Sequence, residues 1–267
     1  MHALKPGDKV DLDNLPTRGK DLHDDRQKAE KEFKKYRKQI AKLQPRLYAE
    51  GQQSLLVVFQ AMDAGGKDGT TRAVFEGVNP QGVHVISFKA PSARELSHDF
   101  LWRIHRDVPP AGMIHVFNRS HYEDVLVVRV QELVPESVWR PRFEQINQFE
   151  KYLTDAGTRI LKFFLHISPE EQLERFQERL DDPEKHWKFS TDDLAKRKLW
   201  PQYMEAYAEA LEKCSTDAAP WHVIPADQNW YRNWAIARTI AETLEEMNPQ
   251  FPDPEPGLDN IDLSSHK

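Results

Sequence analysis

The chain is expected to fold as an α/β protein around a central, mostly parallel five-stranded sheet with helices on both faces. Three observations predict this. Short β-branched and aromatic runs alternate with longer helix-forming stretches, the pattern of parallel strands joined by crossover helices. The first such run, Ser54–Gln60, enters a glycine-rich turn that carries a lysine and then a helix-forming stretch. At 267 residues and 39% hydrophobic content the chain can bury one large core.

The elements follow in order. Residues 1–21 are rich in Pro, Gly and Asp and read as an irregular arm. Residues 22–49 place Phe33, Tyr36, Ile40, Leu43 and Leu47 three and four apart among Lys, Arg, Glu and Gln, which predicts an amphipathic helix with Pro45 bending its end. Ser54–Gln60 is a buried strand and Thr70–Val78 the helix after the turn. Val83–Phe88 is a second strand, Ser92 to about His105 a helix, and Met113–Asn118 a third strand. Val138 to about Ala156 reads as helix and Ile160–Ile167 as a fourth strand. Ser168 caps a helix that Pro169 starts at its favoured first position. Asp193 to about Lys213 is helical, Trp221–Ala226 is the fifth strand, and Asn229–Met247 closes the fold with Trp230, Trp234, Ala237, Ala241 and Leu244 on one face. Residues 22–247 thus form one domain, and 248–267 an extended tail. No internal repeat is visible.

Composition removes several function classes. The formal net charge is -6, which argues against general nucleic-acid binding, although a polyanion remains possible where cations cluster. Cys214 is the lone cysteine, so no disulfide forms within the chain and a reducing cytoplasm suits it. No zinc-spaced Cys/His cluster occurs. Met1–Pro16 lacks the apolar core of a secretory signal, and no apolar run is long enough for a membrane span. Without a secretion signal, the sequon Asn118-Arg119-Ser120 is accidental.

Three stretches carry chemistry. The first is Asp63-Ala64-Gly65-Gly66-Lys67-Asp68-Gly69-Thr70, between a strand and a helix. Glycines let backbone N–H groups turn inward at phosphate oxygens, and Lys67 adds a point charge for the transferring phosphoryl group. Asp68 stands where a Ser or Thr usually holds Mg²⁺. Carboxylates at Asp63 and Asp68 beside an anion make sense chiefly with Mg²⁺ between them.

The second stretch, Asn118-Arg119-Ser120-His121-Tyr122-Glu123-Asp124, follows the third strand, at the sheet end where ligands bind. Arg119 can fork onto phosphoryl oxygens, and Glu123 and Asp124 can hold metal or orient an acceptor. A capped turn with surface charges gives the same sequence. Ser120, His121 and Asp124 lie too close together for a hydrolytic triad, and His121 reads as a structural hydrogen-bonding residue. The third stretch is basic: Arg175, Arg179, Lys185, His186, Lys188, Arg197 and Lys198. It can pair with Glu170, Glu171, Glu174 and Glu178, or act as a lid over phosphates, with Trp187 and Phe189 pinning it. Trp221, Trp230, Tyr231 and Trp234 fit core or subunit contacts better than base stacking.

Together these stretches resemble the polyphosphate kinase 2 family. Asp63 to Gly69 looks like that family's Walker A signature, with its acidic residue in place of Ser/Thr. Asn118 to Asp124 sits where the family has its Walker B segment, and Arg175 to Lys188 matches the lid. The resemblance spans about residues 25–247. Most of the family has Asp where this chain has Asn118, and the Asn form resembles the class III subgroup, associated with phosphorylating nucleoside mono- and diphosphates.

The resemblance implies a P-loop kinase-like three-layer fold with a helical lid over about residues 175–198. It implies a Mg²⁺-dependent, reversible kinase, with Mn²⁺ as a substitute, moving phosphoryl groups from inorganic polyphosphate to AMP and ADP, or the guanine counterparts. Asp63, Asn118, Lys67, Arg119, Glu123 and Asp124 are the catalytic candidates, with Asp63 and Asn118 on the metal. Ala64, Gly65, Gly66, Lys67, Asp68, Gly69, Thr70, Arg175, Arg179, Lys185 and Lys188 are the phosphate ligands. A cytoplasmic homo-oligomer, dimer or tetramer, with neither nucleic acid nor membrane as partner, completes the expectation. An ATP-dependent nucleoside monophosphate kinase of the thymidylate kinase type shares the fold and lid logic, but Asp68 speaks against it. A non-catalytic polyphosphate- or nucleotide-binding protein is a third reading, and carboxylates beside phosphates speak against that.

Overall fold

The computed structural model describes residues 3–258 and 261. In chain order the regular elements are α1 (Arg26–Glu50), β1 (Ser54–Gln60), α2 (Lys67–Val74), β2 (Val83–Ser87), α3 (Ala93–Leu96), α4 (Trp102–His105) and β3 (Ile114–Asn118). Then come α5 (Val127–Val130), α6 (Glu136–Trp139), α7 (Arg142–Asp155), β4 (Thr158–His166), α8 (Pro169–Asp181), α9 (Thr191–Arg197), α10 (Trp200–Lys213), β5 (Trp221–Pro225) and α11 (Asn229–Met247).

The five strands pair in parallel in the order β2-β3-β1-β4-β5. β1 is central, and the chain passes to one side of it for β2 and β3 and to the other for β4 and β5. An open parallel sheet leaves a crevice where that order reverses, beyond the carboxyl ends of its strands. Phe59 is in register with Asn118 there, so the glycine loop after β1 and the polar turn after β3 emerge side by side.

Alternate residues of each strand feed two cores, which makes the fold three-layered. Leu56, Val58, Phe117, Ile160 and Phe164 pack with Phe143 and Ile146 of α7 and Tyr207 and Leu211 of α10. Leu55, Val57, Phe59, Val116, Leu161 and Phe163 pack with Ile40 and Leu47 of α1, Val74 of α2 and Trp234, Ile236 and Ile240 of α11. Lys162 of β4 falls on the first of these faces yet is fully buried. Its Nζ donates to Glu150 Oε2 at 2.5 Å, Tyr122 Oη at 2.8 Å and the Cys214 carbonyl at 2.6 Å. Glu150 also meets His121 Nε2 at 3.0 Å, so His121 is the structural residue the sequence suggested.

Several helix boundaries differ from expectation, each for a local reason. The helix expected over Ser92–His105 is two short ones. Ser92 and Glu95 form a capping box, but Asp99 Oδ1 accepts from Leu101 N at 3.0 Å and starts a new turn. The Val138–Ala156 helix is divided at Pro141, which lacks an N–H to continue α6 and sits instead at the N-cap of α7. The Asp193–Lys213 helix is also two. α9 starts earlier, capped by Ser190, and α10 begins afresh with Pro201 in its first turn. α2 starts at Lys67 rather than Thr70, because Gly66 at φ 96° turns the chain directly into the helix. α1 contains Pro45 within it, begins at Arg26 rather than residue 22, runs to Glu50 and stops at left-handed Gly51.

The arm is irregular in backbone yet packed. Val10 and Leu12 are buried, Leu4 N donates to the Trp221 carbonyl at 2.8 Å, and Ala3 bridges antiparallel to His222. Of the expected tail, 248–258 and 261 lack regular structure apart from a turn at 256–258, and the remainder lies outside the described residues. No helix among the described residues is long and apolar enough to cross a membrane.

Candidate phosphate-binding site

The glycine loop is held in a conformation most residues resist. Ala64 lies at φ 60° and Gly66 at φ 96°. Gly65 N donates to the Met62 carbonyl at 3.0 Å, and Thr70 N begins the α2 ladder at the Gly66 carbonyl. The first N–H groups of α2 are therefore presented at the sheet's carboxyl end, a natural seat for an anion. Lys67 Nζ folds back onto the Ala61 carbonyl at 3.0 Å. Burial, and then Arg119, push its pKa down to about 8 against the opposing pull of Asp63, Glu123 and Asp68. Thr70 is fully buried, and its hydroxyl has no partner among the described residues.

Asp63 is the electrostatic centre. Arg119 Nη2 donates to its Oδ1 at 2.7 Å, and Lys196 Nζ lies 3.5 Å from its Oδ2. Burial pushes the Asp63 carboxyl up, but Lys67, Arg119 and Lys196 together hold it below its usual range. Arg119 reaches it from a left-handed backbone, φ 61°, directly after β3. Left-handed non-glycine residues concentrate at functional sites, and Ala64 and Arg119 both line this one. Asn118 Nδ2 donates to Asp68 Oδ1, tying the turn after β3 to the start of α2. Asp124, by contrast, turns to Arg142 Nη1 at 3.0 Å and does not line the cleft.

The cleft above the loop holds about 520 Å³. Its floor is Asp63 to Gly69 with Asn118 and Arg119; its walls carry Arg175, Arg179, Lys185, Lys188 and Arg232. Arg175 is a bracket as well as a wall. It donates to the Ala64 carbonyl at 2.9 Å, the Ala226 carbonyl at 2.6 Å and Glu171 Oε1 at 2.8 Å. Arg179 donates to the Lys188 carbonyl at 2.9 Å, and Lys185 pairs with Asp182 at 3.0 Å. Phe189 packs edge-on against Phe176, whereas Trp187 is 79% exposed. Trp221, Tyr231 and Trp234 are buried in the cores.

A second, smaller pocket of about 30 Å³ lies on the other side of Asp63 and Arg119, bounded by Glu123, Lys196, Tyr203 and Tyr207. Asp63 and Arg119 line both spaces. Sequence reasoning did not single out Lys196, Tyr203, Tyr207 or Arg232. Each lies far along the chain from the glycine loop, on helices whose periodicity gives no hint of the approach. The nearest available signal was Arg232 itself, a charge in the first turn of the closing helix next to the buried Tyr231.

The family model "Polyphosphate kinase 2" matches residues 23–252. An AMP/ADP-polyphosphate phosphotransferase of Meiothermus ruber is 58% identical over 224 residues, 84% of each chain. An ADP-polyphosphate phosphotransferase of Rhodopseudomonas palustris is 44% identical over 262 residues, 94% of this chain and 91% of the relative. The crystal structure of a polyphosphate kinase 2 from Arthrobacter aurescens superposes with a TM-score of 0.88 at 38% identity, covering 100% of this chain and 98% of that one.

Proposed function

The chain belongs to the polyphosphate kinase 2 family, and we propose on that footing that it transfers phosphoryl groups from inorganic polyphosphate to AMP and ADP, reversibly, forming ADP and ATP. The same reaction extends to guanine nucleotides. Its working unit is residues 22–247 with the lid over about 175–198, acting in the cytoplasm as a homo-oligomer. The observation that carries the reading is the pair of spaces meeting at Asp63 and Arg119: a larger, cation-rich cleft for a donor and a smaller pocket for an acceptor phosphate.

Phosphoryl transfer asks for alignment and charge stabilisation more than for covalent chemistry. The donor polyphosphate lies along the glycine loop, with Lys67 on its terminal phosphoryl group and Arg175, Arg179, Lys185 and Lys188 along its tail. The acceptor phosphate approaches from the side of Glu123. Its oxygen attacks the terminal phosphorus in line. The new P–O bond forms as the bridging P–O bond breaks, and the shortened polyphosphate leaves with that electron pair. Arg119 spans both phosphates and carries the charge that spreads over the equatorial oxygens. Asp63 orients the attacking oxygen and holds Arg119 in place.

A divalent cation fits this donor set. Among the described residues no three His, Cys, Asp or Glu side chains converge as a complete protein cage. Mg²⁺ is usually held by one or two protein oxygens and the substrate phosphates, and it retains water. Asp63 and Asn118 would hold it, Asn118 through its amide oxygen because the nitrogen is committed to Asp68. Mg²⁺, or Mn²⁺ in its place, would neutralise phosphate charge between donor and acceptor.

Phosphorus NMR of the protein with Mg²⁺, AMP and long-chain polyphosphate tests the reading, beside a sample with ATP as donor. ADP and then ATP should appear from polyphosphate. Turnover with ATP alone would overturn it.

A further inference from the structure

Arg232 stands in the first turn of α11, on the cleft side of the glycine loop, and is only 3% exposed. Its guanidinium lies against the loop backbone. A Cβ built on Gly66 would stand 2.0 Å from Arg232 Nη1, and one built on Gly69 would stand 3.8 Å from Nη2. Glycine at 66 thus does two things: it permits φ 96° and it leaves room for a cation beside the cradle.

That cation is poorly compensated. Nε and Nη2 share one acceptor, the Asn233 amide oxygen, at 3.1 Å and 3.0 Å. The carboxylate that bears on it, Glu171, is bound by Arg175 instead, at 2.8 Å. Arg175 Nη1 is also the next atom met at Gly66, 3.4 Å from the same built Cβ. Two guanidinium groups therefore flank one glycine, and one of them has no carboxylate within ion-pair distance among the described residues. Burial, and then Arg175, bring the Arg232 pKa down to about 9. A buried charge without a counter-ion is costly to keep. A surface arginine or an apolar side chain would avoid that cost, so the position makes sense when an anion completes it.

We propose that Arg232 is a ligand of the donor: it binds the polyphosphate oxygens lying over Gly66. The inference rests on polyphosphate being the donor, as argued above. The acceptor is excluded by position, since the pocket of Glu123, Tyr203 and Tyr207 does not include Arg232. The planar fork suits two oxygens of one phosphate.

Arg232→Met fills the space without the charge, and Arg232→Lys keeps the charge without the fork. Each is compared with the unaltered protein for KM of polyphosphate, KM of ADP, and melting temperature with and without polyphosphate. In Arg232→Met, KM for polyphosphate should rise about tenfold or more, with KM for ADP within about twofold. Its ligand-free melting temperature should hold or rise, while the rise produced by polyphosphate largely disappears. Arg232→Lys should recover part of both losses. An unchanged polyphosphate KM with an intact melting shift overturns the inference. So does a Met variant that is unfolded or less stable with both KM values raised together, since that marks a prop for the loop. Failure of the unaltered protein to make ATP from polyphosphate removes the donor assignment itself and, distinguishably, the inference with it.

Discussion

Lys67 carries a pH-dependent charge in the cleft above the glycine loop. Its amino group loses its proton near pH 8 in the free protein, whereas an unfolded chain keeps it to the ordinary lysine value of 10.5. Between those values the unfolded chain binds more protons, so Lys67 makes the fold more stable as pH rises from about 8 to 10.5. Activity runs the other way. kcat/KM for polyphosphate reports the free enzyme and should fall above about pH 8. kcat should persist to higher pH, because bound phosphate restores the proton. Coincident pH profiles for the two constants would contradict this. Lys67→Ala and Asp63→Asn should each lower kcat about 10²–10³-fold in protein whose melting temperature is close to the original. The glycine loop was legible because it is local: strand, glycines and lysine follow one another in a single short stretch. Lys196 was not, since its 3.5 Å approach to Asp63 depends on how α9 lies over the loop.

At the scale of elements, the segment proposed as a lid runs through the end of α8, a 3-10 turn over Pro183–Lys188, and α9. Its cations occupy different situations. Arg175 is fastened to backbone carbonyls of the glycine loop and of the turn after β5, while Arg179, Lys185 and Lys188 line the outer cleft. Replacing those three with Gln should raise KM for polyphosphate about tenfold, flatten its dependence on ionic strength, and leave KM for ADP within about twofold. Steady-state kinetics at low and physiological salt measure it. A salt dependence identical to the unaltered protein would remove these residues from the donor path. The basic character of residues 175–198 was plain in the sequence, as was the cap at Ser168. The interruptions of three long helices were not, because the apolar spacing continues across each break. Pro141 and Pro201 were the available signals, and each sits where a new helix begins.

For the molecule as a whole, alternating strand and helix patterns sufficed for the α/β class, five strands and two covered faces. Strand order depends on which crossovers pack on which face, and no single segment encodes it. Lys162 was equally hidden, a charged residue in the middle of a strand whose neighbours Leu161 and Phe163 face the other core. Its bond to Glu150 joins β4 to α7, and through His121 and Tyr122 the same carboxylate braces the turn that begins at Arg119. Burial pushes the Glu150 carboxyl up, but Lys162 and His121 hold it below its ordinary range. Lys162→Met alone should cost about 3–5 kcal/mol, since it strands a buried carboxylate, and adding Glu150→Leu should recover most of that. Urea denaturation of the two variants measures the difference, and a single variant as stable as the original would refute the account.

The arm over residues 3–15 has a bearing on how the protein tolerates being cut or joined. Leu4 and Ala3 lie along β5 at Trp221 and His222, where the sheet otherwise ends. A bare strand edge is a template for other chains, so this strip works as a selvage that keeps the sheet from growing. Trimming the chain to its first long helix would unpick it and leave molecules free to stitch together edge to edge.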